Sequence, residues 1–290
     1  MNDTASEVIA GIDGSASAVR AACWSAAVAG RLGTPLRLLH ALPDFGPNLT
    51  ETAAAFRAMA MTYHSQNAER FLKEAADAVS AAHPSVTVFT TDTSESVDDA
   101  LTGASADARL MVIGGVDLSP AAAILLGSTT LRVTSHARCP VIAWRGTAVQ
   151  PSNAPIVVGL DESAAAAVSL DVALELAACF GAPVNVVHTW TFASAPDEVH
   201  GSPDWVKVNA ATRARIEAII EIAQRKHPGP EVTTSWESRG ASRALLDHLD
   251  NAQLVAVGNR GRAPLTAAVM GSTSLNLLHH SQIPVMVCHA

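Results

Sequence analysis

A glycine-rich segment near the carboxyl terminus has the residue types and spacing of a phosphate-binding loop. Gly258-Asn259-Arg260-Gly261 is followed by nine residues and then by Gly271-Ser272-Thr273. Glycine carries no side chain, so a glycine turn lets backbone amides approach an anion closely. A helix that begins at the second run would add free N–H groups and the positive end of its dipole. The two hydroxyls of that run can donate hydrogen bonds, and Arg260 and Arg262 supply positive charge.

An aspartate follows the first apolar run of each half of the chain. Asp13 lies in Gly11-Ile12-Asp13-Gly14-Ser15, and Asp161 lies in Gly159-Leu160-Asp161-Glu162-Ser163. A carboxylate at a strand end accepts hydrogen bonds from ribose hydroxyls or from an exocyclic amine, and a simple helix cap is its structural alternative. The serine two positions later is interpreted as a cap or a phosphate contact, because the sequence places no histidine partner that would make it a nucleophile.

These motifs occur twice because the chain repeats itself at domain length. Gly33–His40 returns as Gly181–His188 at an offset of 148, and Ala108–Gly114 returns as Ala252–Gly258 at an offset of 144. Solenoid repeats are about 20 to 50 residues long, so this spacing indicates a duplicated domain instead. We therefore predict domains over residues 1–146 and 156–290, joined by a linker over 147–155 that follows Gly146 and contains two prolines.

The first-half copy of the glycine motif departs from the second. Its run is Gly114-Gly115-Val116-Asp117, then nine residues, then Gly127-Ser128-Thr129, so Asp117 stands in place of the second glycine. A like charge about 4 Å away costs roughly 4 kcal/mol at an effective dielectric of about 20, which is on the order of a thousandfold in affinity. The sequence therefore predicts a weakened or empty first site. The alternative is that Asp117 holds a Mg²⁺ ion together with the phosphates.

Each half alternates short apolar runs with helical patterns. The predicted strands are Glu7–Ile12, Leu36–Ala41, Ser85–Thr91, Arg109–Gly114, Pro140–Trp144, Ile156–Leu160, Pro183–Thr189, Glu231–Glu237, Leu254–Gly258 and Pro284–Cys288. Such runs between helices indicate parallel strands that are buried on both faces. The predicted fold class is therefore α/β, with two tandem doubly wound domains whose ligands bind at the carboxyl ends of the strands.

Composition excludes several classes of function. The chain has 290 residues, of which 49 % are hydrophobic and 16 % charged, with a formal net charge of -8. An acidic chain without a basic run does not bind nucleic acid, since phosphate neutralisation needs clustered Lys and Arg. No apolar stretch of about 18 residues predicts a membrane span, and the polar Met1–Glu7 segment does not resemble a signal peptide. We expect a cytoplasmic protein.

Cysteine and histidine give no strong signal of metal binding or catalysis. The four cysteines form no CxxC pair and are interpreted as buried small residues of a reducing compartment. His40 and His188 occupy equivalent strand ends, and we expect packing or local hydrogen bonding from both. The sequence contains no HExxH motif, nucleophile elbow or Walker lysine, so no catalytic residue and no certain metal ligand are assigned.

The motifs together resemble those of the universal stress protein family. The Gly-x-x-Gly pattern, its nine-residue spacing and the following Gly-Ser are similar to the ATP-binding motif of that family. The Gly-x-Asp-x-Ser opening, the histidine after strand 2 and the Ile-Pro-Val ending are also similar, over nearly the whole chain and twice. The resemblance implies a five-stranded parallel sheet in the order 3-2-1-4-5 in each domain, with helices on both faces, and pairing of the two domains within one chain.

The resemblance also implies a nucleotide site, residue by residue. Asp161 would contact the adenosine, while Gly159 and Thr189 would line the adenine pocket, with Val257 beside it. The ribose and phosphates would be held by Gly258, Gly261, Gly271, Ser272 and Thr273, with Arg260 and Arg262 nearby. The corresponding first-half residues, which we doubt bind nucleotide, are Gly11, Asp13, Ala41, Ile113, Gly114, Gly127, Ser128 and Thr129.

The function that these expectations favour is an ATP-binding regulator of stress response or growth. It would act as a nucleotide-dependent binding module, with ATP carried with or without Mg²⁺, at most slow ATP hydrolysis, an unidentified protein partner and a possible homodimer. The alternative is a slow ATP hydrolase or a nucleotidyl-transfer enzyme on the same fold. A third hypothesis is a scaffold that no longer binds nucleotide, which fits the first half of the chain and not the second.

Overall fold

The computed structural model describes residues 7–42, 50–114, 127–190, 203–259 and 270–290. The chain divides into two compact units, Met1–Pro151 and Ser152–Ala290. This division lies inside the segment 147–155 that the sequence predicts to be a linker.

Unit 1 alternates strands and helices along the chain. Its elements are β1 (Glu7–Gly11), α1 (Ala16–Leu32), β2 (Leu36–Leu42), α2 (Glu51–Ala82), β3 (Val88–Ser96), α3 (Val97–Ala104), β4 (Ala108–Gly114), α4 (Ser128–His136) and β5 (Val141–Trp144). The third strand runs five residues beyond its predicted end at Thr91. A register shift between Ala41 and Leu42 lets the strand continue pairing as far as Ser96.

Unit 2 repeats the same order. Its elements are β6 (Ile156–Gly159), α5 (Ala164–Phe180), β7 (Val184–Thr189), α6 (Pro203–Lys226), β8 (Val232–Glu237), α7 (Ala241–Asp247), β9 (Leu254–Gly258), α8 (Ser272–His280) and β10 (Val285–Cys288). Because Leu36 pairs with Val88 and Val184 pairs with Val232, the repeat offset has already changed from 148 to 144 by the third strand of each unit.

The strand order within each unit is the predicted one. Unit 1 has the order β3-β2-β1-β4-β5, and unit 2 has the order β8-β7-β6-β9-β10. The pairs that establish these orders are all parallel. The α/β class with two tandem domains and the order 3-2-1-4-5 are therefore confirmed. Each order reverses between the first and fourth strands of its unit, which is where such sheets bind ligands.

Local sequence explains where the first helix of each unit begins and ends. The side chain of Ser15 accepts a hydrogen bond from the Ala18 amide at the start of α1, and Ser163 does the same for Ala166 at the start of α5. Gly33 and Gly181 end these helices with φ values of +67° and +65°, a left-handed conformation that favours glycine. The cap ties each helix start to the aspartate-containing loop before it.

The sheets are packed between helices, as apolar strands on both faces require. In unit 1, a buried cluster joins Ile9 and Met111 of the sheet to Leu101 of α3 and Val133 of α4. In unit 2, Leu170, Leu174 and Ala177 of α5 are fully buried. Within the parts of the chain that the structure describes, no helix combines the length and hydropathy needed to cross a membrane.

Candidate functional site

The carboxyl ends of three adjacent strands bring the predicted site residues of unit 2 to one edge of its sheet. β6 pairs with β7 on one side and with β9 on the other. Thr189 ends β7, Asp161 follows β6 by two residues, and Gly258 ends β9. The site predicted from sequence therefore lies at the point where the strand order reverses.

Asp161 stands in a tight turn that leaves part of its carboxylate available. Its Oδ1 atom accepts a hydrogen bond of 2.9 Å from the amide of Ser163, whose own hydroxyl caps α5. Among the hydrogen bonds of the described residues, none reaches Oδ2. Asp13 makes the same 2.9 Å contact with the Ser15 amide in unit 1. The turn holds each carboxylate at the strand end, and the serine is the helix cap.

A buried histidine fixes the backbone just before each of these aspartates. His188 lies 2.7 Å through Nδ1 from the carbonyl oxygen of Leu160, and it is 3 % exposed. His40 makes the same 2.7 Å contact with the carbonyl oxygen of Ile12. A carbonyl oxygen only accepts hydrogen bonds, so Nδ1 carries the proton in both rings. The two histidines are thus buried donors that hold the loop in place.

The glycines at the strand ends are required by packing within the protein. A Cβ atom on Gly258 would lie 2.9 Å from the backbone of Ala165 and Ala166, and one on Gly114 would lie 3.0 Å from Ala18. Both glycines therefore let the start of a helix pack directly on a strand end. Gly159 differs, since a Cβ there would meet only side-chain atoms, 2.9 Å from Leu245 and 3.0 Å from Val257. Sequence reasoning assigned these glycines to ligand contact alone.

The start of α8 has backbone amides at the same edge. Gly271 is its N-cap, and no side chain among the described residues caps it. Two hydrogen bonds fix this helix start to the end of β9: the Gly271 amide donates to the Asn259 carbonyl at 2.8 Å, and the Ser274 hydroxyl donates to the Gly258 carbonyl at 2.7 Å. Ser272 is exposed and Thr273 half-buried. The arrangement can bind an anion through amides, hydroxyls and the helix dipole.

Unit 1 has a related edge. Gly127 is the N-cap of α4 without a side-chain cap, Ser128 is exposed and Thr129 half-buried. Ala41 and Ile113 are buried at the ends of the strands that flank β1. Gly11 ends β1, and a Cβ there would make only ordinary contacts, at 3.8 Å from Leu101. Described parts of the two edges therefore match, and Asp117, the residue that distinguishes the sequences, lies outside the described residues.

Three further predicted residues of the unit 2 site also lie outside the described residues. They are Arg260, Gly261 and Arg262, in the segment between the end of β9 and the start of α8. Their assignment to phosphate binding remains a prediction from the sequence.

An aromatic cluster that sequence reasoning missed lies beside the predicted adenine pocket. Trp190 and Trp236 stack with ring centroids 5.5 Å apart, and the edge of His188 contacts both rings. The guanidinium of Arg213 on α6 lies 4.6 Å from the centre of the Trp236 ring. The sequence held one signal, because Trp190 directly follows Thr189. In unit 1 the equivalent histidine, His40, contacts the ring of Phe71 instead, with ring centroids 5.7 Å apart.

A cavity of about 490 Å³ lies at the opposite end of the unit 2 sheet, beside the residues that precede its strands. Pro155, Asn185 and Thr233 line it. Their counterparts in unit 1 are Glu7, Arg37 and Phe89, and there Arg37 forms a 2.9 Å ion pair with Glu7. The cavity lies at the amino ends of the strands, whereas Asp161 and the start of α8 lie at their carboxyl ends. It is therefore separate from the predicted nucleotide site.

The cysteines are part of the packing. Cys23, Cys139 and Cys288 are buried, and Cys179 is half-buried. Burial raises the pKa of the Cys139 thiol to about 12 and also raises the pKa of Cys23. Both thiols are therefore protonated at neutral pH and poor nucleophiles. Across the described residues, no three His, Cys, Asp or Glu side chains converge as a metal site.

Comparison with known proteins assigns the chain to a family. The model of the universal stress protein family matches residues 5–145 and again residues 153–289. A universal stress protein of Mycolicibacterium smegmatis is 28 % identical over 286 residues, covering 97 % of this chain and 96 % of that protein. One from Mycobacterium tuberculosis is 29 % identical over 289 residues, with the same coverage.

Solved structures show the same fold. A universal stress protein from Archaeoglobus fulgidus superposes with a TM-score of 0.73 at 21 % identity and covers 98 % of both chains. A putative universal stress protein from Pseudomonas aeruginosa superposes with a TM-score of 0.63 at 15 % identity, covering 99 % of this chain and 94 % of that one. With the family model matched twice over almost the full length, this chain belongs to the universal stress protein family and carries two of its domains in tandem.

Proposed function

We propose that unit 2 binds one adenine nucleotide, ATP with Mg²⁺ on its phosphates, and that the chain acts as a nucleotide-dependent regulatory module in a cytoplasmic stress or growth response. Unit 1 binds nucleotide weakly or not at all. Bound ATP changes which protein partner the chain recognises, and hydrolysis is at most slow.

The observation that carries this proposal is the uncapped start of α8 beside the carboxylate of Asp161. Within the described part of the chain the amides after Gly271 have no side-chain cap, and the helix is anchored to β9 by the Ser274 hydroxyl. A triphosphate needs such donors, since burying unpaired anionic oxygens is costly. Asp161 has an oxygen available at the end of the neighbouring strand β6, where it can accept hydrogen bonds from the nucleoside.

The aromatic cluster supports a base site next to this anion site. Trp190 and Trp236 present large apolar surfaces at the ends of β7 and β8, and purine bases stack on such rings. Thr189 precedes Trp190 and lies at the end of the strand that pairs with β6. The proposal therefore places the base at this side of Asp161 and the phosphates at α8.

The fit of ATP is testable by calorimetric titration with Mg·ATP. We expect about one molecule bound per chain and at least a tenfold weaker affinity in Asp161→Asn, which removes the negative charge and keeps the size of the side chain. The matched control is Asp13→Asn, the same change at the equivalent position in unit 1.

The control separates the two units. We expect Asp13→Asn to leave the affinity and the stoichiometry unchanged. Absence of binding in the unchanged chain would contradict the proposal, and so would an equal loss of affinity in the two variants.

A further inference from the structure

The loop that carries Asp161 is joined to the long helix α6 by an ion pair. The guanidinium of Arg215 donates to both carboxylate oxygens of Glu162, with Nε 2.9 Å from Oε2 and Nη2 3.1 Å from Oε1. Nη2 also donates to the hydroxyl of Thr212, one turn earlier, at 3.0 Å. A fork-to-fork pair with a third contact has a defined geometry, in contrast to a single surface ion pair. Glu162 is the residue that follows Asp161 in the sequence.

In unit 1 the equivalent loop contacts the equivalent helix, α2, through apolar packing in place of an ion pair. Glu162 corresponds to Gly14, and Arg215 corresponds to Phe71, since α2 and α6 end at the equivalent residues Ala82 and Lys226. Gly14 has a φ of +84°, and a Cβ atom there would lie 2.5 Å from the Phe71 ring. The buried Phe71 therefore packs directly on the backbone of the loop that carries Asp13.

Two unrelated contacts at one pair of positions indicate that this connection has a use beyond general stability. After duplication, both residues of the pair differ between the units, yet the loop remains joined to the helix in each. An exposed ion pair alone adds little to global stability, typically below about 1 kcal/mol. Its effect is local, because it restricts a short turn that is also held by the Ser163 contacts and by the hydrogen bond from His188 to the Leu160 carbonyl.

We propose that Arg215 is a positioning residue of the unit 2 site: by holding Glu162, it fixes the turn that presents the Asp161 carboxylate to a nucleoside. The inference rests on the proposed function for its ligand, and on the structure alone for the restriction of the loop. Arg215 itself touches neither the nucleotide nor the start of α8 in this account. Its removal loosens Asp161 and leaves the rest of the site in place.

The test is Arg215→Met, which keeps the apolar stem and removes the charge, measured in the full-length chain in two ways. Hydrogen exchange at the Ser163 and Ala166 amides, without nucleotide, is expected to rise about tenfold. The affinity for Mg·ATP is expected to fall about tenfold, with the melting temperature unchanged within a few degrees. Arg215→Lys, which keeps the charge and loses the fork, is expected to be intermediate.

Arg225→Met is the matched control, since Arg225 forms an exposed ion pair with Glu221 on the same helix. It is expected to change neither readout.

The outcomes separate this inference from the proposed function. Unchanged exchange at Ser163 and Ala166 in Arg215→Met overturns the inference, and so does increased exchange without any loss of ATP affinity in a chain that binds ATP. If the unchanged chain binds no ATP, the proposed function fails, and the exchange data still decide whether Arg215 restricts the loop.

Discussion

Asp161 and Asp13 show how closely the two units agree at the scale of single residues. Each accepts a 2.9 Å hydrogen bond from the amide of a capping serine, and each follows a carbonyl held by a buried histidine. The backbone of the aspartate-containing turn is therefore held in the same way in both units. On this account, the difference between the units comes from the phosphate end, where Asp117 stands in unit 1 and Gly261 in unit 2.

This difference predicts a gain of binding in Asp117→Gly. A like charge at about 4 Å and an effective dielectric of about 20 would repel the phosphates by roughly 4 kcal/mol, and the variant removes that charge. We expect the number of Mg·ATP molecules bound per chain to rise from about one to about two, measured by titration calorimetry at saturating nucleotide.

The reverse change, Gly261→Asp, is the control and is expected to abolish the high-affinity site. A stoichiometry that stays at one in Asp117→Gly would show that another feature of unit 1 excludes the nucleotide. A loss of binding in Asp117→Gly would instead support the alternative in which this aspartate holds Mg²⁺.

Among the elements, β8 and α7 are joined by a polar chain on one face of the unit 2 sheet. His248, which follows α7, lies 3.0 Å through Nε2 from the Glu237 carboxylate and 3.3 Å through Nδ1 from the Asn185 amide. Arg239 contacts both Glu237 and Asp247. The hydrogen bond from His248, and then the contacts with Arg239, hold the pKa of Glu237 below its ordinary value. These polar contacts connect α7 to the edge of the sheet. Leu245 of α7 packs against Gly159.

The lowered pKa predicts a loss of stability in acid. A carboxyl group whose pKa is lower in the folded state stabilises the fold at pH values above its ordinary pKa of 4.5. This contribution is lost as the pH falls through the pKa of the folded state. We expect Glu237→Gln to cost about 1 kcal/mol at pH 7 and to become indistinguishable from the unchanged chain in strong acid. Urea unfolding followed by the fluorescence of the tryptophan pair in unit 2 measures this difference.

Glu221→Gln is the control, because Glu221 pairs with Arg225 on the exposed face of α6 at 3.8 Å. It is expected to cost less than Glu237→Gln at pH 7 and to have no effect in strong acid. A cost for Glu237→Gln that is the same at pH 7 and in strong acid would contradict the electrostatic explanation.

The elements themselves were predictable because their signals are local. Apolar runs identified the strands, and Ser15 and Ser163, interpreted from the sequence as caps or phosphate contacts, are the N-caps of α1 and α5. The Arg215–Glu162 pair and the stacked tryptophans were not predictable. Glu162 and Arg215 are 53 residues apart, and their contact depends on which face of α6 packs on the sheet. The packing roles of Gly114 and Gly258 were missed for the same reason, since they depend on where a helix start meets a strand end.

At the scale of the whole molecule, duplication gives each chain two copies of one architecture that differ in side-chain chemistry. The shared parts are the strand order, the helix caps and the histidine contacts, all of which position the aspartate-containing turn. The differing parts surround that turn: Phe71 on Gly14 in unit 1, and Arg215 on Glu162 with the tryptophan pair in unit 2. Under the proposed function, such a chain binds nucleotide in one unit, while the other unit keeps the same fold and has a different role.

A crystal structure of the full chain with Mg·ATP is the direct test of the proposal that unit 2 binds ATP at the carboxyl ends of its strands. The account predicts phosphate oxygens within hydrogen-bonding distance of the Gly271–Thr273 amides, the nucleoside against Asp161, and the base beside Thr189 in unit 2, with no ordered nucleotide in unit 1. A vacant or side-chain-filled crevice at the start of α8, at saturating Mg·ATP, would contradict it.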